Sequence, residues 1–213
     1  MHPKLFVPIQ QFCEQLTQDF DSIPSERKAQ LSQLSQYFLQ KYQQGIPARA
    51  IVICTHNSRR SHLGQLWLAM ACDYYGIPMM GTYSGGTEAT AFNPRAVAAL
   101  LRAGLQIRPK EAAATNPIYQ IWWTEDMAPY LAFSKKFDHP DNPNDNFAAI
   151  MVCTEADQGC PFVPGTDFRF SLPYDDPKTF DGTDLESDKY DERCRQIGRE
   201  MMYILSLVKA QLN

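Results

Sequence analysis

The chain has 213 residues, 44% of them hydrophobic, enough to bury one substantial core without requiring a second complete domain. Its formal net charge of -4 gives no bulk attraction for nucleic acid or an anionic membrane, so a phosphate-like group must be held by a local site. The opening Met1-His2-Pro3-Lys4 carries no apolar signal stretch, no run approaches the ~18 residues that span a bilayer, and the six cysteines are irregularly spaced. These features predict a cytoplasmic protein with reduced thiols and argue against a secreted disulfide framework.

Residues 1–46 are rich in glutamine and carry two helical patterns, Ile9, Phe12, Cys13 and Leu16 in the first, Leu31, Leu34, Phe38 and Tyr42 in the second. Pro24 and Gly45 punctuate them. The expectation is a helical extension that packs on the domain or forms a homodimer contact. The domain proper, residues 47–213, opens with a strand at 50–53. A helix follows over 61–75, where Leu63, Leu66, Trp67, Met70 and Ala71 recur at three- and four-residue intervals. Gly76-Ile77-Pro78 turns the chain into a second strand at 80–84, completing a β-α-β unit. Gly85-Gly86-Thr87 reads as a turn, and Asn93-Pro94 starts a helix with Val97, Leu100 and Leu101 on one apolar face and Gly104 as its stop.

Between 115 and 146 only residues 119–123 read as a strand. Pro129 and the Pro-, Asn- and Asp-dense stretch 138–146 indicate long loops. Residues 147–153 form a buried strand. After a further loop, Ile197, Met201, Ile204, Leu205, Val208 and Leu212 make a closing helical stripe. Alternating strands and helices predict an α/β fold, a parallel sheet with helices on both faces.

Residues 51–61 carry the chemistry: Ile51-Val52-Ile53-Cys54-Thr55-His56-Asn57-Ser58-Arg59-Arg60-Ser61. A strand delivers Cys54 to the sheet's carboxyl edge, a short loop exposes consecutive backbone N–H groups, and the next helix aims its positive end at the same spot. These fields favour a thiolate and hold an anion. Arg60 can grip two oxygens of that anion in a planar fork, and Ser61 can cap the helix. Cys-x5-Arg spacing alone is weak, and the strand, loop and helix around it carry the reading.

Three separated motifs resemble the low-molecular-weight protein tyrosine phosphatase superfamily, specifically its thioredoxin-coupled arsenate reductase branch. They are Cys54 to Ser61, then Tyr83-Ser84-Gly85-Gly86-Thr87-Glu88-Ala89 with Asn93-Pro94, and finally Tyr174-Asp175-Asp176-Pro177. The resemblance implies a four-stranded parallel sheet flanked by helices, a three-layer sandwich to which residues 1–46 are appended. It makes Thr55, His56, Asn57, Ser58, Arg59, Arg60 and Ser61 the oxyanion loop around Cys54, with Asn57 and Ser61 steadying loop and thiolate. It also makes Asp176 the general acid that protonates the leaving group, with Asp175 the competing candidate in this Asp-Asp pair. Cys153-Thr154-Glu155-Ala156-Asp157-Gln158-Gly159-Cys160-Pro161 resembles the redox pair of the reductases, a strand-end thiol and a second in a polar loop. In that role Cys153 attacks Cys54, Cys160 then attacks Cys153, and external thioredoxin reduces the final disulfide, with no bound cofactor.

Alternative readings use the same residues differently. With Cys153 a core thiol and Cys160 a loop thiol, the chain is a phosphatase that hydrolyses phosphate monoesters, a phosphoprotein for example, through a Cys54 phosphoenzyme. Without catalysis it is a thiol redox sensor. Metal binding is not expected, because Cys153 and Cys160 lack the short Cys-x2-Cys spacing and a second ligand pair. His56 stands where the family carries a small residue, and Arg59 replaces a residue that is often Cys or small. Arg59 either adds charge beside the anion or extends into solvent. The 105–147 connection is longer than the family's. Trp122 and Trp123 read as core, or as walls of an aryl pocket, Cys13, Cys72 and Cys194 as inert thiols, and His62 as an exposed helix residue.

Overall fold

A computed structural model describes residues 4–77, 80–160 and 162–212. Pro78, in the expected turn, and Pro161, after Cys160, lie outside the described residues, as do the first three residues and the last.

The central strand β1 (Arg49–Cys54) is β-branched and apolar because it is buried from Ala50 onward, as a parallel strand covered on both faces must be. It pairs in parallel with β2 (Gly81–Gly86) on one side and β6 (Phe147–Met151) on the other. A parallel β7 (Thr166–Ser171) completes a four-stranded sheet in the order β2-β1-β6-β7. The expected parallel α/β sheet is therefore present.

The crossover helix α3 (Arg60–Tyr75) packs on β1 and β2 and ends at Gly76, whose φ of 62° supplies the left-handed cap. Its approach to the sheet is close: a Cβ on Gly64 would lie 2.8 Å from Val52 Cγ1. Long C-terminal α6 (Glu186–Leu212) packs against α3, against α4 (Pro94–Arg102), and against the N-terminal helices α1 (Val7–Gln18) and α2 (Ser25–Gln43). Ile9, Cys13, Leu16, Leu31, Leu34 and Phe38 are buried in the same core as the sheet, so residues 1–46 share the domain's interior. Asn93 caps α4 by accepting from the Arg95 N–H at 2.9 Å.

Several local expectations are corrected. Gly85 and Gly86 are the end of β2, paired with Ile53 and Cys54, and not a turn. Leu101 is 46% exposed, because the buried face of the short helix α4 is Ala96, Val97, Ala99 and Leu100. The expected strand at 119–123 is present as β4 (Tyr119–Trp122), but it is the middle of an unexpected antiparallel sheet with β3 (Gln106–Pro109) and β5 (Tyr130–Ala132). The segment between Cys153 and Cys160 is a short helix, α5 (Thr154–Gly159), and not a loop.

Candidate functional site

Cys54 is the last residue of β1, and the chain turns from it through Thr55–Arg59 into α3. The turn depends on Asn57, which is fully buried with φ at 44°, a conformation that Asn tolerates better than most residues. The Asn57 Oδ1 accepts from the Lys135 N–H at 2.8 Å, and its Nδ2 donates to Ser61 Oγ at 2.9 Å. With a Ser61 lone pair occupied by that amide, its hydroxyl hydrogen is free to point at Cys54 Sγ, 3.0 Å away. Strand end, loop and helix start are thus tied into one hydrogen-bonded chain that ends on the sulfur.

Backbone neighbours hold the loop from outside. The Thr55 carbonyl accepts from the Glu88 N–H at 2.8 Å and the Thr87 hydroxyl at 3.1 Å, and the His56 carbonyl accepts from the hydroxyls of Thr90 and Ser134. Ser58 Oγ donates to the Ala91 carbonyl at 2.8 Å. Only glycine fits at Gly86, where a Cβ would sit 2.6 Å from the Thr55 carbonyl and 2.7 Å from the Asn57 nitrogen.

Arg60 is buried beneath the mouth. Its guanidinium donates to the Tyr174 carbonyl and to Asp176 Oδ2, both at 2.7 Å. Two of its five N–H donors are so engaged, and three remain. Asp176 lines the mouth together with Cys54, Thr55, His56, Ser58, Arg59 and Arg60. Its other oxygen accepts from the Lys178 N–H at 3.0 Å, capping the 3-10 turn Pro177–Phe180. Asp175 instead points outward, its side chain 96% exposed and 3.4 Å from Arg193. The mouth is small, about 10 Å³, with the Arg60–Asp176 pair among its walls.

Arg59 neither extends into solvent nor offers a free charge: its Nε donates to Tyr190 Oη at 2.6 Å and its Nη2 to Asp181 at 3.2 Å. His56 is half exposed, 3.8 Å from Glu88. His62 is fully buried, against expectation, stacked on Phe92 with ring centroids 4.0 Å apart. Gly86, Thr90, Ser134 and Lys135, four of the residues that brace the loop, act through backbone atoms, hydroxyls or the want of a side chain. Only the Gly-Gly-Thr motif signals any of them in the sequence.

Cys153 follows β6, and its Sγ lies 3.4 Å from Thr55 Oγ1. Burial raises its thiol pKa, opposed by the Thr55 hydroxyl and by Arg60. Cys160 caps the C-terminus of α5 and is buried. Seven residues at ~1.5 Å each separate the two Cα atoms by about 10 Å along the helix, against the roughly 4–7 Å that a disulfide spans. Arg169 pins this helix by donating to the Asp157 side chain at 2.6 Å and to the Cys160 carbonyl at 3.2 Å. Cys13, Cys72 and Cys194 are buried, and burial raises each of their pKa values. Among the described residues no cluster of three or more His, Cys, Asp or Glu is placed to hold a metal ion, and no helix is long and apolar enough to cross a membrane.

The same layout of strands and helices recurs in solved phosphatases. A low-molecular-weight phosphotyrosine phosphatase from Vibrio cholerae superposes with a TM-score of 0.53 at 13% identity, covering 77% of this chain and 98% of that one. An arginine phosphatase from Geobacillus stearothermophilus superposes with a TM-score of 0.51 at 15% identity, over 78% and 96%. No family model matches the sequence. In sequence it is 29% identical over 150 residues to an arsenate reductase of Bacillus licheniformis and 28% identical to that of Bacillus subtilis, each match covering 70% of this chain and 88% of the relative. The chain is thus similar in fold to low-molecular-weight phosphatases and, over most of its length, in sequence to arsenate reductases.

Proposed function

We propose that the chain is an arsenate reductase that works through Cys54, Cys153 and Cys160, with thioredoxin as the external reductant. The observation that carries the reading is the second thiol beside the oxyanion loop: Cys153 Sγ touches Thr55, the neighbour of Cys54. In this reading the Thr55–Ser61 backbone and the free donors of Arg60 bind arsenate once Asp176 releases Arg60. The Cys54 thiolate attacks arsenic, and water leaves with a proton from Asp176, giving a sulfur-bound arsenic(V) adduct. Cys153 then attacks Cys54 Sγ. A sulfur–sulfur bond forms, the sulfur–arsenic pair stays on arsenic, and arsenite, now arsenic(III), departs. Cys160 attacks Cys153, Cys54 leaves as a thiolate, and two electrons from thioredoxin reduce the Cys153–Cys160 disulfide.

A phosphatase reading uses only Cys54, Arg60 and Asp176. It is favoured by the placement of Cys160 at the far end of an intact helix from Cys153. Both readings make the chain an enzyme of this superfamily.

Arsenate turnover with thioredoxin, thioredoxin reductase and NADPH, beside hydrolysis of p-nitrophenyl phosphate, separates them. Cys54→Ser is expected to abolish both activities, and Cys153→Ser and Cys160→Ser to abolish multiple-turnover arsenate reduction while sparing hydrolysis. Arsenate reduction at the wild-type rate in Cys153→Ser would exclude the relay.

A further inference from the structure

A cavity of about 580 Å³, sharing no lining residue with the mouth of the oxyanion loop, lies between the β2 edge, α3 and the second sheet, within the range of small-molecule sites. Its walls include Trp123, Tyr83 and Tyr130, and its rim includes Met127 and Leu131, which are 46% and 54% exposed. Lys135 also lines it and is only 5% exposed. The Lys135 ammonium sits 4.7 Å from the Phe133 ring centroid, and among the described residues no carboxylate lies within 4.0 Å of it. Of the two acids that line the cavity, Asp73 already accepts from Trp123 Nε1 at 2.6 Å, and Asp141 is mostly exposed and faces His139 at 3.9 Å. A second polar group is also unsatisfied: buried Gln65 lines the cavity, its Nε2 bonded to Tyr130 and its Oε1 without a partner.

A lysine this deeply buried, with a ring against its ammonium and, among the described residues, no carboxylate within 4.0 Å, is unusual, since removing its charge from water is costly unless an anion compensates. Burial lowers its pKa to about 8, with Asp141 opposing, so most of it still carries a proton at pH 7. An anion with an apolar body meets both requirements of the cavity, charge at one end and desolvation of the aromatic walls at the other.

We propose that this cavity is a second binding site, for a small aromatic carboxylate whose anion pairs with Lys135 and whose ring lies against Trp123 and Tyr130.

The probe is 2-naphthoate, titrated calorimetrically into the full chain with excess phosphate occupying the oxyanion loop, and compared with its neutral isostere 2-naphthamide. Saturable binding is expected, with the acid preferred at least about tenfold over the amide. Lys135→Met should erase that preference and Lys135→Arg should retain it. Ala69→Phe, which fills the cavity from α3, should weaken both ligands and decides the matter if Lys135→Met does not fold. No saturable binding to the wild type, equal affinity for acid and amide, a preference that survives Lys135→Met, or unweakened binding to Ala69→Phe would each overturn the proposal.

Discussion

His62 sits one residue beyond the loop's serine, and its burial makes the fold's stability depend on pH. Desolvation lowers its pKa from 6.5 to about 3, the Lys135 charge acting in the same direction and the Asn57 backbone opposing. Between those values the unfolded chain binds a proton that the folded chain excludes. Stability is therefore complete above pH 6.5 and falls as pH drops toward 3, by up to about 1.4 kcal/mol per pH unit. His62→Asn should flatten this dependence, so urea midpoints measured from pH 7 to pH 4 should decline less steeply than in the wild type. Parallel declines would show that His62 does not titrate in this way. The loop itself was legible at this scale, because strand, cysteine, arginine and helix follow one another within a dozen residues. The burial of His62 was not. Apolar periodicity marks only one stripe of α3, whereas that helix is enclosed on nearly every side and buries Ser61, His62 and Gln65 as well.

Among the elements, α5 decides whether the two distal thiols can exchange. The helix holds Cys153 and Cys160 about 10 Å apart, so the relay requires it to unwind at each turnover. Gly159, its last residue, has open space where a Cβ would be, so Gly159→Ala adds helix propensity without a clash. A gain of ~0.5–1 kcal/mol should slow transfer of the disulfide to Cys160 about two- to fivefold. Quenched single-turnover samples resolved by mass spectrometry would follow that transfer, with alkylation of Cys54 as the control that should not move. An unchanged transfer rate would mean that α5 stays folded while the thiols react. This helix escaped sequence reading for a physical reason: six residues with Ala156 as the one buried side chain carry no periodicity to detect. Two strands of the second sheet, β3 and β5, escaped for a similar reason, each being four residues or fewer and bordered by turn formers, whereas β4 was readable. The other strands of the parallel core and its helices were readable from their apolar runs and periodicity, whereas the edge strand β7, with only Phe170 buried, was read as loop.

Across the whole molecule, the N-terminal helices are coupled to the mouth of the site through one buried charge. Arg27 on α2 donates to Glu200 on α6 at 2.9 Å, and Glu200, 2% exposed, also accepts from Tyr174 Oη at 2.8 Å. The same guanidinium donates to the Pro173 carbonyl and lies 4.9 Å from the Tyr174 ring centroid. Tyr174 in turn offers its carbonyl to Arg60, two residues before Asp176. Residues 173–176 are therefore clamped between the N-terminal helices and the oxyanion loop. Arg27→Met keeps most of the side-chain volume but leaves the Glu200 carboxylate buried without a cation, a loss of about 3–5 kcal/mol. For a chain of this size that corresponds to a drop in Tm of roughly 6–20 °C. A purely local packing defect would stop there. If the clamp positions Asp176, the variant should also lose kcat at temperatures where it is fully folded, and Arg27→Met/Glu200→Gln, which removes the orphaned charge, should recover most of the Tm but little of the kcat. Recovery of both together would reduce the N-terminal helices to a role in stability alone.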